Sequence, residues 1–177
     1  MTGIVFKALG GFYYVRTSEG DMECRPVGVF RREGISPMVG DMVTVEATED
    51  GRGSLTEISP RKNFLVRPPV ANLDRLAMVV SCAEPPPNIL ILDKLTAIAC
   101  HRGIPVTIIF SKIDLAAPDE FSDIYRRAGF EVFEVNSMTG EGIASVKKTL
   151  EHGLTAFCGN SGAGKSSLLN ALFPELD

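Results

Sequence analysis

The chain has 177 residues, 45% of them hydrophobic and 23% charged, so it can bury a core and is neither wholly disordered nor collagen-like. Its formal net charge of −4 argues against a protein that coats nucleic acid by charge alone. Apolar runs such as 76–80 and 104–110 fall short of the roughly 18 residues that span a bilayer. Gly10-Gly11 interrupts the N-terminus before a signal-peptide-like stretch accumulates. We therefore expect a cytoplasmic protein with no membrane partner.

The four cysteines, Cys24, Cys82, Cys100 and Cys158, are widely spaced and form no C-x-x-C pair. Neither histidine stands at ligand spacing from two of them, so we expect no zinc ligands in this chain. Each cysteine has apolar or strand-forming neighbours, which is typical of a reduced, buried thiol. Disulfides are not expected.

Residues 3–58 consist of short β-branched and aromatic runs that are separated by glycine-containing turns. This pattern favours an all-β, OB-like barrel over residues 1–64. An SH3-like barrel would give nearly the same pattern, so the two remain open. The predicted strands cover 4–9, 12–17, 27–30, 42–47 and 54–58.

The segment 61–74 carries paired prolines and little periodicity, and we interpret 65–74 as a linker in extended conformation. Strands and helices then alternate, which predicts an α/β domain with a parallel, doubly wound sheet over 75–177. The predicted strands cover 75–81, 106–110, 131–135 and 154–158, and the predicted helices cover 89–100, 119–128, 142–152 and a segment from Lys165.

Residues 159–166, G-N-S-G-A-G-K-S, match the phosphate-loop pattern G-x-x-x-x-G-K-S between an apolar strand and an amphipathic helix. The glycines let successive backbone N–H groups face one phosphate at the positive end of the helix dipole. We expect Lys165 to reach the β- and γ-phosphates and Ser166 to ligate Mg²⁺, which makes these two the catalytic contributors. The predicted nucleotide-binding residues of this segment are Gly159, Asn160, Ser161, Gly162, Ala163, Gly164, Lys165, Ser166 and Ser167.

Ser111-Lys112-Ile113-Asp114 follows a predicted strand and resembles the N/T-K-x-D guanine motif of GTPases. In that motif the aspartate accepts hydrogen bonds from guanine N1–H and the 2-amino group, and adenine offers neither donor. Lys112 would lay its aliphatic stem across the base. Serine replaces the usual asparagine at 111 and is too short to copy its full contact to the base and the neighbouring loop, so we expect lower guanine affinity.

A third nucleotide-binding segment is Asn136-Ser137-Met138, which follows the strand 131–135 and leads into T-G-E-G-I. It resembles the S-A-x-x-G-x-G loop of GTPases, whose backbone N–H contacts guanine O6. Met138 stands where alanine is usual. Ser137 and Met138 are therefore candidate base contacts.

The guanine motif precedes the P-loop in this chain, which reverses the order of an ordinary GTPase. Joining the old C-terminal helix to the P-loop strand through 152–154 permutes the domain circularly without changing its sheet. A permuted GTPase behind a small β-barrel resembles the RsgA or YjeQ family of small-ribosomal-subunit biogenesis GTPases almost throughout. The likeness also includes Gly11-Phe12-Tyr13-Tyr14-Val15, Val39-Gly40-Asp41 and Leu92-Asp93-Lys94.

The resemblance implies a cytoplasmic, ribosome-stimulated GTPase that binds GTP and GDP with Mg²⁺ and assists late maturation of the 30S ribosomal subunit. A complete member would continue past Asp177 with switch segments, a D-x-x-G motif and a domain that binds Zn²⁺. We therefore expect a truncated, incomplete GTPase domain, a monomer that does not hydrolyse GTP by itself.

The resemblance also implies that the barrel contacts 16S rRNA, and its composition suits RNA. The barrel's candidate contacts are Arg25, Arg31, Arg32, Arg61, Lys62 and Arg67, interleaved with Phe6, Phe12, Tyr13, Tyr14 and Phe30.

Two alternatives stay open. One is another class of permuted GTPase, although such classes lack this barrel. The other is a non-catalytic RNA-binding module whose GTPase half is vestigial, and a measured GDP affinity would separate it from an enzyme.

Overall fold

The computed structural model describes residues 1–28, 30, 34–48, 51–118 and 120–176. The chain divides into two compact units, Met1–Leu73 and Asp74–Asp177. Within the described residues, no helix is long and apolar enough to cross a membrane.

The first unit is a closed five-stranded barrel in the order β1-β2-β3-β5-β4. Strands β3 and β5 pair in parallel, and the other neighbours pair antiparallel. This arrangement confirms the OB-like fold class. The strands are β1 (Thr2–Leu9), β2 (Phe12–Thr17), β3 (Gly20–Pro26), β4 (Met42–Ala47) and β5 (Gly53–Ile58).

The third strand differs from the expectation of 27–30, a range in which Val29 lies outside the described residues. Strand β3 begins earlier, because Thr17 pairs with Gly20 across a two-residue turn. Residues that look like a turn in the sequence, Gly20 and Asp21, are thus the first residues of a strand. The barrel core alternates along the strands as the pleat requires. Its fully buried side chains are Val5, Val15, Cys24, Val43, Val45 and Leu55.

The segment interpreted as a linker is largely folded into the first unit. Two short strands, β6 (Phe64–Leu65) and β7 (Val70–Ala71), form an antiparallel hairpin whose turn holds the paired prolines. The side chain of Asn63 accepts a hydrogen bond from the Leu73 N–H at 2.8 Å and donates one to the Leu73 carbonyl at 2.9 Å. These bonds end the unit at Leu73 and not at residue 64.

An ion pair between the partly exposed Arg61 and a fully buried carboxylate joins the chain just before this hairpin to the barrel. Arg61 binds Asp41 through Nε to Oδ1 at 2.7 Å and through Nη2 to Oδ2 at 2.8 Å. Asp41 is fully buried, and it also accepts a bond from the Met38 N–H at 2.7 Å. The carboxylate raises the pKa of Arg61 above its ordinary value. Arg61 is therefore a structural residue of the barrel.

The second unit is a four-stranded parallel sheet in the order β10-β9-β8-β11. This confirms the predicted α/β fold class. The strands are β8 (Arg75–Ser81), β9 (Val106–Ser111), β10 (Glu131–Val135) and β11 (Thr155–Cys158), and the helices are α1 (Ile89–His101), α2 (Phe121–Arg127), α3 (Ile143–Thr149) and α4 (Lys165–Leu172), followed by a 3₁₀ helix at Pro174–Leu176.

Strand β9 is central and buried along its whole length, which explains its almost continuous apolar run. One face of the sheet packs on α3 and α4 through Val79, Ile109, Val146, Leu168 and Leu172. Because all four strands run in parallel, their carboxyl ends open at one edge of the sheet, where ligands of such folds bind.

Candidate nucleotide site

The P-loop, residues 159–166, follows β11 at the carboxyl edge of the sheet. A side chain on Gly159 would come within 2.2 Å of the Val79 carbonyl oxygen, so only glycine fits there. Gly162 and Gly164 have φ values of 77° and 85°, in the left-handed region that glycine tolerates. Within the loop Asn160 and Ser161 are exposed, whereas Ala163 is buried.

Lys165 is the first residue of α4, and its ammonium group closes the P-loop on itself. Its Nζ donates to the carbonyl of Gly159 at 2.9 Å and to that of Asn160 at 2.7 Å. An ammonium has three N–H donors, so one is left for a phosphate oxygen. Lys165 can therefore shape the loop and bind phosphate at the same time.

Ser166 and Ser167 follow in the first turn of α4 and are exposed. Among the described residues, no group of three or more His, Cys, Asp or Glu side chains could hold a metal ion. Mg²⁺ prefers oxygen ligands and keeps several waters, taking its other ligands from substrate phosphates. A single serine hydroxyl fits that requirement, so the donor set suits Mg²⁺ bound together with a nucleotide.

Ser111, the last residue of β9, connects the guanine motif to the P-loop. It is buried, and its Oγ donates to the Ala163 carbonyl at 2.7 Å and lies 3.3 Å from the Val80 carbonyl. The sequence predicts that serine is too short to copy the full contact of asparagine to the base and the neighbouring loop, and this stays a prediction, although the hydroxyl does bind the P-loop. The hydroxyl reaches the loop because β9 ends beside it.

Lys112 and Asp114 continue the guanine motif beyond β9. Lys112 has a φ of 61°, unusual for a residue with a side chain, and its Nζ donates to the Glu84 carbonyl. Asp114 is exposed at the same edge of the sheet. A carboxylate in that position is accessible to the donor edge of a base.

The loop after β10 is shaped by Asn136, which the sequence presents only as the residue before the two candidates. Asn136 is buried, and its Oδ1 accepts from the N–H groups of Met138 at 2.9 Å and Thr139 at 3.3 Å. Ser137 is half-buried, and Met138 is 87% exposed. An asparagine at the end of a strand, able to bond the backbone two residues on, is the signal that could have identified Asn136.

Asp93, part of the Leu92-Asp93-Lys94 stretch, lies on α1 and accepts a hydrogen bond from the Tyr125 hydroxyl at 2.6 Å. Burial, and next this bond to a carboxylate, raise the pKa of Tyr125 well above its ordinary value. The contact joins α1 to α2 and gives Asp93 a structural role.

The barrel surface carries aromatic rings covered by basic groups. The Arg25 guanidinium carbon lies 4.3 Å from the centroid of the Phe12 ring, and Arg52 lies 5.9 Å from the same ring. Arg16 instead binds Asp21 with two hydrogen bonds of 2.8 and 2.9 Å. On this surface the charge of Arg16 is thus paired with a carboxylate, whereas Arg25 lies over an aromatic ring.

The other barrel candidates have varied positions. The Phe6 and Tyr14 ring centroids lie 6.4 Å apart, Tyr13 is half-buried and Phe30 is buried. Lys62 and Arg67 are exposed, whereas Arg31 and Arg32 lie outside the described residues.

An OB-like barrel, followed by a parallel sheet in which the guanine motif precedes the P-loop, defines the class of circularly permuted P-loop GTPases. The RsgA GTPase domain matches residues 58–177, and the RsgA N-terminal domain matches residues 2–55. The chain belongs to the RsgA GTPase family.

Relatives and solved structures agree with this family. The chain is 41% identical over 181 residues to the small ribosomal subunit biogenesis GTPase RsgA of Halalkalibacterium halodurans, covering 99% of this chain and 62% of the relative. It is 41% identical over 175 residues to RsgA of Clostridium beijerinckii, covering 97% and 60%. The chain thus spans about three fifths of the length of these relatives.

Two crystal structures superpose on nearly the whole chain. YjeQ from Thermotoga maritima matches with a TM-score of 0.82 and 31% identity, over 99% of this chain and 66% of that one. YloQ, described as a circularly permuted GTPase, matches with a TM-score of 0.78 and 34% identity, over 99% and 65%.

Proposed function

We propose that the protein is a GTPase that assists late maturation of the 30S ribosomal subunit in the cytoplasm. It binds GTP and GDP with Mg²⁺ at the carboxyl edge of the parallel sheet and contacts 16S rRNA through its barrel. The names of the relatives, small ribosomal subunit biogenesis GTPase, support this proposal. The nucleotide site supports it independently, from geometry.

The observation that carries the proposal is the hydrogen bond from Ser111 Oγ to the Ala163 carbonyl, 2.7 Å long. It joins the guanine motif to the P-loop, so groups suited to a base and groups suited to phosphates stand side by side. A P-loop by itself would fit many nucleotides, and Asp114 restricts the choice to a base with two adjacent donors, as in guanine.

In this assignment each residue has a separate task. Asp114 accepts from guanine N1–H and the 2-amino group, the Lys112 stem covers the base, and the loop of Ser137 and Met138 meets guanine O6. Lys165 and the loop N–H groups stabilise negative charge on the β- and γ-phosphates, where phosphoryl transfer needs it most.

Ser166 would hold Mg²⁺, which neutralises charge between the phosphates when it is bound. Phosphoryl transfer also requires a group that orients the attacking water. We propose that binding to the ribosome completes this part of the site.

For the barrel, we propose that Arg25 and Phe12 contact rRNA. Arg25 is exposed, stacks on the Phe12 ring and, among the described residues, has no carboxylate partner. A ring and a planar cation together suit the stacking of unpaired bases next to a phosphate backbone.

The nucleotide assignment is tested by exchanging Asp114→Asn and measuring the affinity for GDP and XDP by isothermal titration. The amide donates to the 2-oxo group of xanthine, whereas guanine loses its charged acceptor, so preference should move from GDP to XDP. Each charge-assisted bond is worth about 1.5–3 kcal/mol, so GDP binding should weaken at least about tenfold.

The matched control is Asp123→Asn, which removes an exposed carboxylate on α2 that pairs with Arg126. It should leave the affinity for both nucleotides unchanged. Unaltered GDP affinity in the Asp114 variant would contradict the guanine assignment, and equal binding of GDP and ADP by the unmodified chain would contradict the whole proposal.

A further inference from the structure

The loop of residues 82–88, C-A-E-P-P-P-N, joins β8 to α1 at the same edge of the sheet, and we call it the proline loop. None of the base or phosphate contacts proposed above lies on it. Its start is fixed by a bond from the Cys82 N–H to the Ser111 carbonyl at 2.9 Å. The Ser81 hydroxyl accepts from the Ala83 N–H at 3.2 Å and lies 3.3 Å from the Glu84 carbonyl. The backbone at Glu84 is therefore held in place.

The proline loop holds the far end of the Lys112 side chain. Lys112 Nζ donates to the carbonyl oxygen of Glu84, so both ends of the lysine stem are fixed. A free lysine loses rotamer entropy when it is ordered. Because the Glu84 carbonyl already orders Lys112, covering a base costs less conformational entropy.

The proline loop also contacts the P-loop. A methyl group placed on Gly162 would lie 3.3 Å from Cδ of Pro85, so the proline ring packs against this glycine. Pro85, Pro86 and Pro87 line one cleft together with Gly159 and Asn160. Pro85 follows Glu84 directly, so its packing on Gly162 and the contacts of Ser81 act on the same stretch of backbone.

We propose that the proline loop is a positioning element of the nucleotide site. Pro85, packed on Gly162, places the Glu84 carbonyl, which in turn directs the Lys112 stem over the base. The base contact therefore depends on a residue that touches neither the base nor the phosphates. This inference rests on the proposed nucleotide site.

The test is a double-mutant cycle on GDP affinity between Pro85→Gly and Lys112→Met. Methionine keeps an apolar stem but cannot donate to Glu84, so both variants disrupt the same connection. We expect each single variant to weaken GDP binding by about fivefold to tenfold, the worth of roughly one hydrogen bond. The double variant should be no weaker than the weaker single variant, because interacting sites are not additive.

Pro105→Gly is the matched control, because it adds the same backbone freedom in the same unit at an exposed proline just before β9, at the edge of the sheet opposite the nucleotide site. It should change GDP affinity by less than about twofold. Equal affinities of the Pro85 and Pro105 variants would overturn the inference, and so would multiplicative losses in the cycle. Lys112→Met changes only the exposed end of a side chain, so this variant should keep the fold intact even if Pro85→Gly does not. If the unmodified chain does not prefer GDP to ADP, the proposed function itself fails.

Discussion

The two units use their strongest polar contacts for different purposes. In the barrel these contacts hold the fold together: the fully buried carboxylate of Asp41 binds Arg61, and the Asn63 side chain is hydrogen-bonded to the backbone of Leu73. In the second unit the bond between Tyr125 and Asp93 likewise joins two helices, but Ser111 and Lys165 bind carbonyls of the P-loop at the carboxyl edge of the sheet. Polar groups thus stabilise the architecture in both units, and in the second unit they also preorganise a site.

The two kinds of site also differ in how clearly the sequence predicts them. A phosphate site needs particular residue types at fixed spacing, so it leaves a motif. An RNA surface needs only aromatic and basic groups on one face, and many sequences satisfy that requirement. The site of the second unit can therefore be predicted residue by residue from the sequence. For the barrel, the list of candidate RNA contacts can be shortened only with the geometry of the structure.

The largest expected effect concerns the pair of Asp41 and Arg61 in the barrel. Asp41→Ala removes the acceptor of two hydrogen bonds from Arg61 and one from the Met38 N–H, and a donor left without its partner costs about 1–3 kcal/mol. Asp41→Ala should therefore sharply increase amide hydrogen exchange across β1 to β5. GDP affinity should stay within about twofold, because Asp41 belongs to the other unit.

Asp21→Ala is the control, since Asp21 and Arg16 are exposed and their side chains keep 47% and 63% of their accessible surface. Exposed pairs contribute little, so exchange in the barrel should hardly change. If Asp41→Ala abolished GDP binding while the barrel stayed protected, the division of labour between the two units would be wrong.

The sequence predicts the second unit almost completely, because its buried parallel strands read as apolar runs and its site reads as motifs. It misplaces the third barrel strand, since Gly20 and Asp21 have the composition of a turn, and pairing with β2 overrides that composition. Asn136 and Pro85 are missed for other reasons. Asn136 has a local signal, because its side chain bonds the backbone two and three residues on, but it carries none of the letters of the predicted motif. Pro85 contacts Gly162, which is distant in the chain, and no short pattern encodes such a contact.

The next largest effect is expected for Lys165→Ala, which removes a phosphate ligand and two bonds that close the P-loop. A charge-assisted bond to phosphate is worth about 1.5–3 kcal/mol, so GDP affinity should drop about tenfold to more than a hundredfold. Isothermal titration measures the loss. Lys148→Ala, an exposed lysine on α3, is the control and should bind GDP normally. Equal affinities of the two variants would remove Lys165 from the site.

The smallest effect separates two arginines of the barrel surface. Arg25 stacks on Phe12 and has no carboxylate partner among the described residues. Arg16, in contrast, donates two hydrogen bonds to Asp21, and these bonds hold the pKa of Asp21 below its ordinary value. Only a cation whose charge is uncompensated releases counterions fully when it meets a phosphate. Arg25→Gln should therefore weaken binding of a labelled single-stranded RNA of about 12 nucleotides and lower the salt dependence by about one phosphate contact. The double variant Arg16→Gln with Asp21→Asn should change neither quantity noticeably, because it removes both partners of the pair and leaves the net charge of the surface unchanged. Fluorescence anisotropy over a range of salt concentrations measures both, and equal salt dependence in the two variants would place the RNA elsewhere on the barrel.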